Sequence, residues 1–275
     1  ALVPFEFFFN QNLDFVLGLS VVDVNTRKKI HQFEASSGRL PSIAWKNDHV
    51  YCIGEGRRSP DSFEWRSDSF RIFMYDIRVG KSQSVAYWSG HCGEICGLKW
   101  NSSGERLASG SNDNSVSVWD LRAAEPLLRY RHNSAVKALA WSPHKHNLLA
   151  SGGGTDDRTI RVLDTNTGKQ KNVAKASSQV CSLLWSQTSD ELVSTHGYQV
   201  SVWSARDPKL KRLHSCYGHT SRVLYTALSP DGSSVCTAAG GLDDTIRFWQ
   251  LLPSSSNSSG SGNRFLDPKS WSMTT

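Results

Sequence analysis

Residues 90–120 are GHCGEICGLKWNSSGERLASGSNDNSVSVWD, a stretch that opens on Gly-His and closes on Trp-Asp. The segment SVSVW alternates polar and apolar residues with a period of two, which indicates a strand with one buried face. Turn-forming residues, NSSG at 101–104 and NDN at 112–114, separate the apolar segments. The stretch therefore predicts a small antiparallel sheet whose strands are joined by short turns.

The same pattern recurs along the chain. The residues that close successive copies are 44, 44, 40 and 46 positions apart, and they are Asp76, Asp120, Asp164, Ser204 and Gln250. This period, with Gly-His at one end and Trp-Asp at the other, is the signature of WD repeats, which form the four-stranded blades of a β-propeller. One blade alone cannot bury its apolar faces, whereas stacked blades can. We therefore expect an all-β WD-repeat β-propeller with six blades or an incomplete seven-bladed ring.

The repeat signals differ in strength along the chain. We expect the propeller to span residues 1–252, with a degraded or partial blade in residues 1–35, where the signals are weakest. A polar segment at 55–70 lengthens the next repeat and predicts an insertion loop between strands. Residues 253–275 are rich in Ser, Asn and Gly, a composition typical of a disordered tail.

One repeat departs from the others. It keeps Trp185 and Trp203 but has no His at the opening position. Gly197 and Tyr198 lead almost directly into the next strand, which predicts a shortened blade edge.

Asp113, Asp157 and Asp243 each lie six residues before a closing Trp or Leu. That spacing places the carboxylate in the turn before the last regular strand, where backbone N–H groups and the repeat His can donate to it. His–Asp pairs can also serve catalysis, but a pair that recurs with the repeat favours a structural role. The residues predicted to hold the repeats together are His91, Asp113, Trp119, His132, Asp157, Trp203, His219, Asp243 and Trp249.

Composition narrows the possible functions. A chain of 275 residues with 38% hydrophobic content can bury a large core as one domain. The six cysteines fall mostly in strand-like segments, and Cys92 and Cys96 have no second pair that would complete a zinc site, so we expect reduced thiols and no metal or other cofactor. The sequence has no signal peptide and no long apolar run, which predicts a soluble intracellular protein without a membrane partner. Lys and Arg are scattered, so the net charge of +6 indicates a solvated surface rather than a nucleic-acid site.

Two sets of loop residues are candidates for binding. In a propeller, the loop after the His position and the turn that holds the Asp project to the same face. Amide groups together with Arg side chains suit the binding of an extended peptide. The alternative is that these residues bind nothing and form an ordinary hydrated surface. The residues at these places are Arg39, Glu94, Ala135, Gln179 and Arg222 in the loops, and Asn112, Asn114, Thr155, Asp156 and Asp244 beside the turn aspartates.

Several segments resemble a specific family. They are HNSAVKALAWSPH at 132–144, LLASGGGT at 148–155, SQVCSLLW at 178–185, ELVSTHGY at 191–198 and GHTSRVLY at 218–225. These segments are similar to those of the fizzy family, the cell-division-cycle coactivators of the anaphase-promoting complex. The resemblance is dense from about Gly90 to Trp249 and weaker before Gly90.

The resemblance implies a function. In that family the propeller is a degron receptor that presents substrates to a ubiquitin ligase and activates it, without catalysis of its own. Such a protein controls mitosis and cell division through ubiquitin-dependent proteolysis, in the nucleus and cytoplasm. The implied partners are subunits of the anaphase-promoting complex, degron-bearing cell-cycle substrates such as cyclins, and spindle-checkpoint proteins.

The resemblance also assigns residues. The positions that contact a KEN-box degron match Asn112, Asn114, Thr155, Gln179 and Arg222, and the acidic position that faces the destruction-box Arg matches Asp244. The sequence contains neither the C-box pentapeptide nor a final Ile-Arg, both of which dock family members to the ligase. We therefore expect weak docking to the ligase.

Other functions find less support in the sequence. Gly80-Lys81-Ser82 ends like a phosphate-binding loop but lacks the preceding Gly, and His144 and His146 form a lone pair, so we expect no enzyme. A generic WD-repeat scaffold and an inactive or competing paralogue of the coactivators are the main alternatives. A nucleic-acid binder would be indicated only by the pI of about 9.0.

Overall fold

In the computed structural model, regular structure consists of strands, and the described parts contain no helix that could cross a membrane. The chain divides into two compact units, Ala1–Tyr130 and Arg131–Thr275. The structure describes residues 18–23, 25–34, 40–56, 70–79, 84–206, 209–243, 245–252 and 269–272.

The first unit contains a two-stranded hairpin and two four-stranded sheets among its described residues. The hairpin consists of β1 (Gly18–Asp23) and β2 (Lys28–Glu34). Blade I consists of β3 (Ser42–Trp45), β4 (Val50–Gly54), β5 (Phe70–Asp76) and β6 (Ala86–His91). Blade II consists of β7 (Ile95–Trp100), β8 (Arg106–Ser111), β9 (Ser115–Asp120) and β10 (Leu128–Arg131).

The second unit contains three four-stranded sheets. Blade III consists of β11 (Val136–Trp141), β12 (Leu148–Gly153), β13 (Thr159–Asp164) and β14 (Lys169–Lys175). Blade IV consists of β15 (Val180–Trp185), β16 (Glu191–His196), β17 (Gln199–Ser204) and β18 (Lys211–Tyr217). Blade V consists of β19 (Val223–Leu228), β20 (Ser234–Ala239), β21 (Thr245–Gln250) and β22 (Lys269–Ser272).

In every blade the strands pair antiparallel in chain order, as the repeat pattern predicts. Apolar side chains fill the space between neighbouring blades of the second unit: Ile160 and Val162 of blade III pack in one cluster with Trp185 of blade IV. The other face of blade IV packs on blade V through a second cluster that includes Val202 and Trp249. Burying one such side chain contributes about 1.5–3 kcal/mol, so each blade is stabilised mainly by its neighbours.

The first strand of each blade, here called the inner strand, shares an irregularity in blades II to V. In blades II to V the pairing of this strand shifts between its first and third residues. Such a bulge adds one unpaired residue and re-aims side chains, and bulges are common beside functional sites. The second residue of each inner strand lies at the bulge, and these residues are Cys96, Lys137, Cys181 and Leu224.

Two sequence expectations need correction. The predicted disordered tail includes Lys269–Ser272, which instead pairs with β21 as the outermost strand of blade V. Two of its four residues are Ser, so its composition gave no strand signal, while the unpaired edge of β21 supplies the hydrogen bonds that favour a strand. The predicted shortening of blade IV is also wrong, because β16 and β17 have six residues each and only the turn at Gly197–Tyr198 is short.

Other expectations fall partly outside the described residues. The predicted degraded blade at 1–35 is a hairpin over β1 and β2, and residues 1–17 are not described. The predicted insertion loop lies mostly at residues 57–69, which are also outside the described residues.

Candidate functional site

His91, the last residue of β6, joins a turn of blade II to a central strand of that blade through a buried chain of hydrogen bonds. The carboxylate of Asp113, in the turn between β8 and β9, is 3.0 Å from Nδ1 of His91. The hydroxyl of Ser109 is 2.6 Å from the other imidazole nitrogen, Nε2. Because an ionised carboxylate only accepts hydrogen bonds, Nδ1 carries the proton and Nε2 accepts from Ser109. The indole N–H of Trp119 donates to the same hydroxyl at 2.7 Å, so four side chains form one chain.

Blade V repeats this arrangement with a threonine. Oγ1 of Thr237 accepts from the indole of Trp249 at 2.7 Å and lies 2.8 Å from Nε2 of His219. Nδ1 of His219 is 3.1 Å from the carboxylate of Asp243. The same pattern in a second blade indicates that the repeat, rather than one site, requires these residues.

Blade III keeps the imidazole and the acid but has Leu163 at the closing Trp position. His132 hydrogen-bonds to the carboxylate of Asp157, and its Nε2 lies 2.8 Å from the hydroxyl of Ser151. The guanidinium of Arg161 lies 3.3 Å from the same carboxylate, whose side chain is only 1% exposed.

Hydrogen bonding decides the charge of these buried groups. Burial acts to raise the pKa of Asp243, but the hydroxyl of Thr245 and two backbone N–H groups outweigh it and lower the pKa to about 2. The pKa of Asp157 is also lowered, because bonds from His132 and Thr159 outweigh its burial. Burial lowers the pKa of His132, and Asp157 only partly opposes that effect. At neutral pH a neutral imidazole therefore donates to an ionised carboxylate.

These imidazoles are poorly placed for chemistry on a substrate. The side chains of His91, His132 and His219 are 0% exposed, and both ring nitrogens of each have a partner. A general base must reach the proton that it removes. We therefore interpret the three His–Asp pairs as structural. Over the parts of the chain that the structure describes, no group of three His, Cys, Asp or Glu side chains could hold a metal ion.

The first unit carries two of the predicted binding residues, Asn112 and Asn114, in the turn beside Asp113. Asn114 has a φ of 67°, in the left-handed region that Asn tolerates better than most residues. The amide oxygen of Asn112 accepts from the thiol of Cys96 at 3.1 Å, and its amide nitrogen donates to Glu94 at 3.4 Å. Asn112 is exposed, and each of these bonds uses only part of its amide capacity, so it retains groups that could bind a ligand.

The second unit brings two predicted residues into contact. Thr155 lies in the turn between β12 and β13, and Gln179 directly precedes β15. The hydroxyl of Thr155 donates to Oε1 of Gln179 at 3.4 Å. This bond leaves the amide N–H groups of Gln179 as donors for a ligand.

Arg222 directly precedes β19 and is exposed. The ammonium of Lys137, on the bulge of β11, lies 4.8 Å from the ring centroid of Tyr225. Burial raises the pKa of the Cys181 thiol on the bulge of β15, and Arg222 and Lys137 both act to lower it. The two cations therefore lie near one thiol. We call Lys137, Cys181, Arg222 and Tyr225 the cationic corner.

Two of the sequence-based candidates, Arg39 and Asp244, lie outside the described residues. Two residues that were not candidates lie close to Arg222. Lys137 and Tyr225 were not among the predicted binding residues, although both lie in the cationic corner beside Arg222. The signal that could have identified Lys137 is its position as second residue of an inner strand, which is the bulge position in each of blades II to V.

Five four-stranded blades with recurring His–Asp pairs define a WD40 β-propeller protein. The family model described as the CDC20/Fizzy WD40 domain matches residues 17–249, and the chain belongs to this family. The sequence-based fold class and family resemblance are thereby confirmed.

Curated relatives and a solved structure agree with this assignment. The chain is 48% identical over 240 residues to Protein FIZZY-RELATED 3 of Arabidopsis thaliana, covering 86% of this chain and 46% of that protein. It is 39% identical over 280 residues to the anaphase-promoting complex subunit cdh1 of Dictyostelium discoideum, covering 89% of this chain and 35% of that protein. A chain in the crystal structure of the mitotic checkpoint complex matches with a TM-score of 0.76 and 38% identity, covering 86% of this chain and 69% of that one. The chain thus spans about half or less of these curated relatives.

Proposed function

We propose that this chain is a substrate-recognition coactivator of the anaphase-promoting complex, a degron receptor without catalytic activity. Membership of the CDC20/Fizzy WD40 domain family supports the proposal. The observation that carries it is that Thr155 donates to Gln179, which directly precedes the bulged strand β15, while Arg222 directly precedes the bulged strand β19.

The chemistry of these residues suits a KEN-type peptide. Arg222 offers a guanidinium fork for the glutamate carboxylate, and Gln179 offers amide donors for peptide carbonyl groups. In the first unit, Asn112 and Asn114 offer amide groups, and the carboxylate of Glu94 is held beside Asn112. Asn112 and Asn114 therefore remain sequence-based candidates for peptide contacts within the first unit. Asp244 remains the sequence-based candidate for the destruction-box arginine.

We further propose that the partners are subunits of the anaphase-promoting complex, degron-bearing cell-cycle substrates and spindle-checkpoint proteins. Names of relatives such as the anaphase-promoting complex subunit cdc20 of Dictyostelium discoideum support the first of these, and the mitotic checkpoint complex structure supports the last. Action during mitosis in the nucleus and cytoplasm follows from these partners.

A peptide titration tests the degron site. A labelled KEN peptide should bind the full chain, and Arg222→Ala should weaken binding about ten- to a hundredfold, because a charge-assisted hydrogen bond is lost. Arg122→Ala, at an exposed position in the turn after β9, is the control and should bind as the wild type does. Unchanged affinity in Arg222→Ala would show that the peptide site is wrongly assigned.

Reconstituted ubiquitination tests the coactivator role. Adding this chain to the ligase and a KEN-bearing substrate should increase ubiquitination of the substrate. A decrease in the presence of another coactivator would instead identify the chain as a competitor. No effect, together with no peptide binding, would favour a generic scaffold.

A further inference from the structure

The cationic corner contains two positive charges, whereas the single glutamate of a KEN motif can neutralise only one. Lys137 and Arg222 lie on β11 and directly before β19, and both of these strands pack beside β15, which carries Cys181. The Lys137 ammonium lies 4.8 Å from the ring centroid of Tyr225, three residues after Arg222, so the two cations share one part of the surface, and both act on the Cys181 thiol.

Within the part of the chain that the structure describes, neither cation forms an ion pair. The ion pairs among the described residues of the second unit join aspartates to His132, Arg161, Lys171 and His219, and they include neither Lys137 nor Arg222. The ring of Tyr225 attracts the Lys137 ammonium but carries no negative charge, so the contact orients the cation without cancelling it. The corner therefore holds two positive charges, of which the ring of Tyr225 orients the Lys137 ammonium.

The Tyr225 contact also limits where Lys137 can reach. A free lysine side chain loses about 2 kcal/mol of conformational entropy when it is fixed, and a ring that already orients it reduces that cost on binding. Lys137 is exposed, and Tyr225 is 48% exposed, so the ammonium remains open to a ligand from solvent. This arrangement suits a second anion that binds next to the first.

We propose that the cationic corner binds a second anionic side chain of the degron peptide, adjacent to the KEN motif, with Lys137 as the residue that selects for it. The inference rests on the proposed function. Arg222 takes the glutamate of the motif, and Lys137 takes a carboxylate or a phosphate on a residue that flanks the motif. The shared chemistry is an anionic oxygen that accepts from an ammonium.

A panel of labelled peptides tests this inference. The peptides carry the same KEN motif and differ only in the flanking residues directly before the Lys and after the Asn, which are alanine, aspartate or phosphoserine. The full chain should bind the aspartate-flanked peptide about tenfold more tightly than the alanine-flanked one at low salt, and the phosphoserine-flanked peptide at least as tightly as that. The preference should shrink as the ionic strength rises. A preference for phosphoserine alone would identify phosphate, rather than carboxylate, as the natural source of the anion.

Variants of Lys137 separate selectivity from folding. Lys137→Gln should abolish the preference while leaving the affinity for the alanine-flanked peptide within about twofold of the wild type. Lys137→Arg should retain the preference, because the positive charge is kept. Lys175→Gln, an exposed lysine at the end of β14, is the matched control and should retain the preference in full.

The outcomes distinguish the two proposals. If the alanine-flanked peptide binds and responds to Arg222→Ala but the wild type shows no preference among flanks, only the second anion site is wrong. A preference that survives in Lys137→Gln would also overturn it. If no KEN peptide binds, the proposed function fails and this inference fails with it.

Discussion

Blades II and IV bury similar chains of side chains but take the imidazole from different positions. In blade II, Trp119 donates to Ser109, which lies 2.6 Å from His91, and that histidine precedes the inner strand. In blade IV, Trp203 donates to Ser194 at 2.7 Å, and the imidazole 3.2 Å from that hydroxyl belongs to His196, at the end of β16. The indole and hydroxyl positions are therefore retained while the source of the imidazole changes.

The sequence explains the change. Ala176 stands four residues before the first residue of β15, where blades II, III and V have histidine, and it is buried in the core between blades III and IV. The turn after His196 has only two residues, and Gly197 adopts a φ of 59° to close it, so the turn has no position for a carboxylate. Gln199 instead donates to Ser201, whose hydroxyl lies 3.5 Å from His196.

The comparison shows what the fold requires. A blade needs a polar group that satisfies the buried hydroxyl and indole, because unpaired polar groups inside the protein are costly. It does not need the acid, provided that the imidazole stays neutral. The acid in blades II, III and V should therefore matter chiefly for the turn that it organises.

Removing that acid gives the largest expected effect. Asp157→Ala leaves the donors of His132, Thr159 and Arg161 without their buried acceptor, and it should lower the free energy of unfolding by about 3 kcal/mol. Urea unfolding at pH 7 measures the change. Asp231→Ala, in an exposed turn of blade V, is the control and should cost much less. Equal costs would mean that the buried carboxylate contributes no more to stability than an exposed one.

The lone imidazole of blade IV gives the next largest effect, through pH. Burial, helped by the nearby Arg212 guanidinium, lowers the pKa of His196 to about 4 from its ordinary value of 6.5. Between these values the unfolded chain binds a proton that the folded chain does not, so stability falls as the pH falls from about 6.5 towards 4. The loss attributable to His196 should be about 2–3 kcal/mol.

Two variants isolate that contribution. His196→Gln should lose less stability than the wild type between pH 6.5 and 4.5 in urea titrations. His219→Gln should change the pH dependence less, because Asp243 opposes the effect of burial on the His219 imidazole. If both variants follow the wild-type pH dependence, His196 is not the group that titrates.

The repeat pattern predicted the parts of the fold that depend on local sequence. The 44-residue spacing and the turn aspartates placed blades II, III and V, because each of their strands has its own alternation and turn. The repeat pattern did not predict β22. That strand has only four residues, and it forms because it pairs with the edge of β21 rather than because of its own composition.

The placement of some candidate residues was predictable in the same way. The repeat register alone brought Thr155 and Gln179 to one edge, because both positions are fixed relative to the blade. The substitution of His196 for the repeat histidine was not predictable, since nothing in the segment around Ala176 shows which buried group fills the space. The contact between Lys137 and Tyr225 joins side chains of blades III and V, which are far apart in the sequence, and no local pattern reports it.

A smaller effect would follow from giving blade IV the acid that it lacks. In Gln199→Glu, a carboxylate beside His196 should raise the pKa of the imidazole by at least about one unit, because an opposite charge favours the protonated form. NMR titration of the labelled imidazole measures the shift. The buried carboxylate should also cost about 1–2 kcal/mol at pH 7. Gln170→Glu, on the exposed outer strand of blade III, should leave the His196 titration unchanged.

The smallest expected difference concerns the hydroxyl that both blades retain. Ser109→Ala removes a 2.6 Å contact with His91 and the acceptor of Trp119, and it should cost about 1–2 kcal/mol. Ser194→Ala removes the acceptor of Trp203 but only a 3.2 Å contact with His196, so it should cost about 0.5–1 kcal/mol. Thermal melting of both variants under one set of conditions gives the comparison. A larger loss in Ser194→Ala would mean that blade IV depends on its hydroxyl more than blade II does. The Ser194 hydroxyl, rather than the neutral state of His196, would then compensate for the turn aspartate that blade IV lacks.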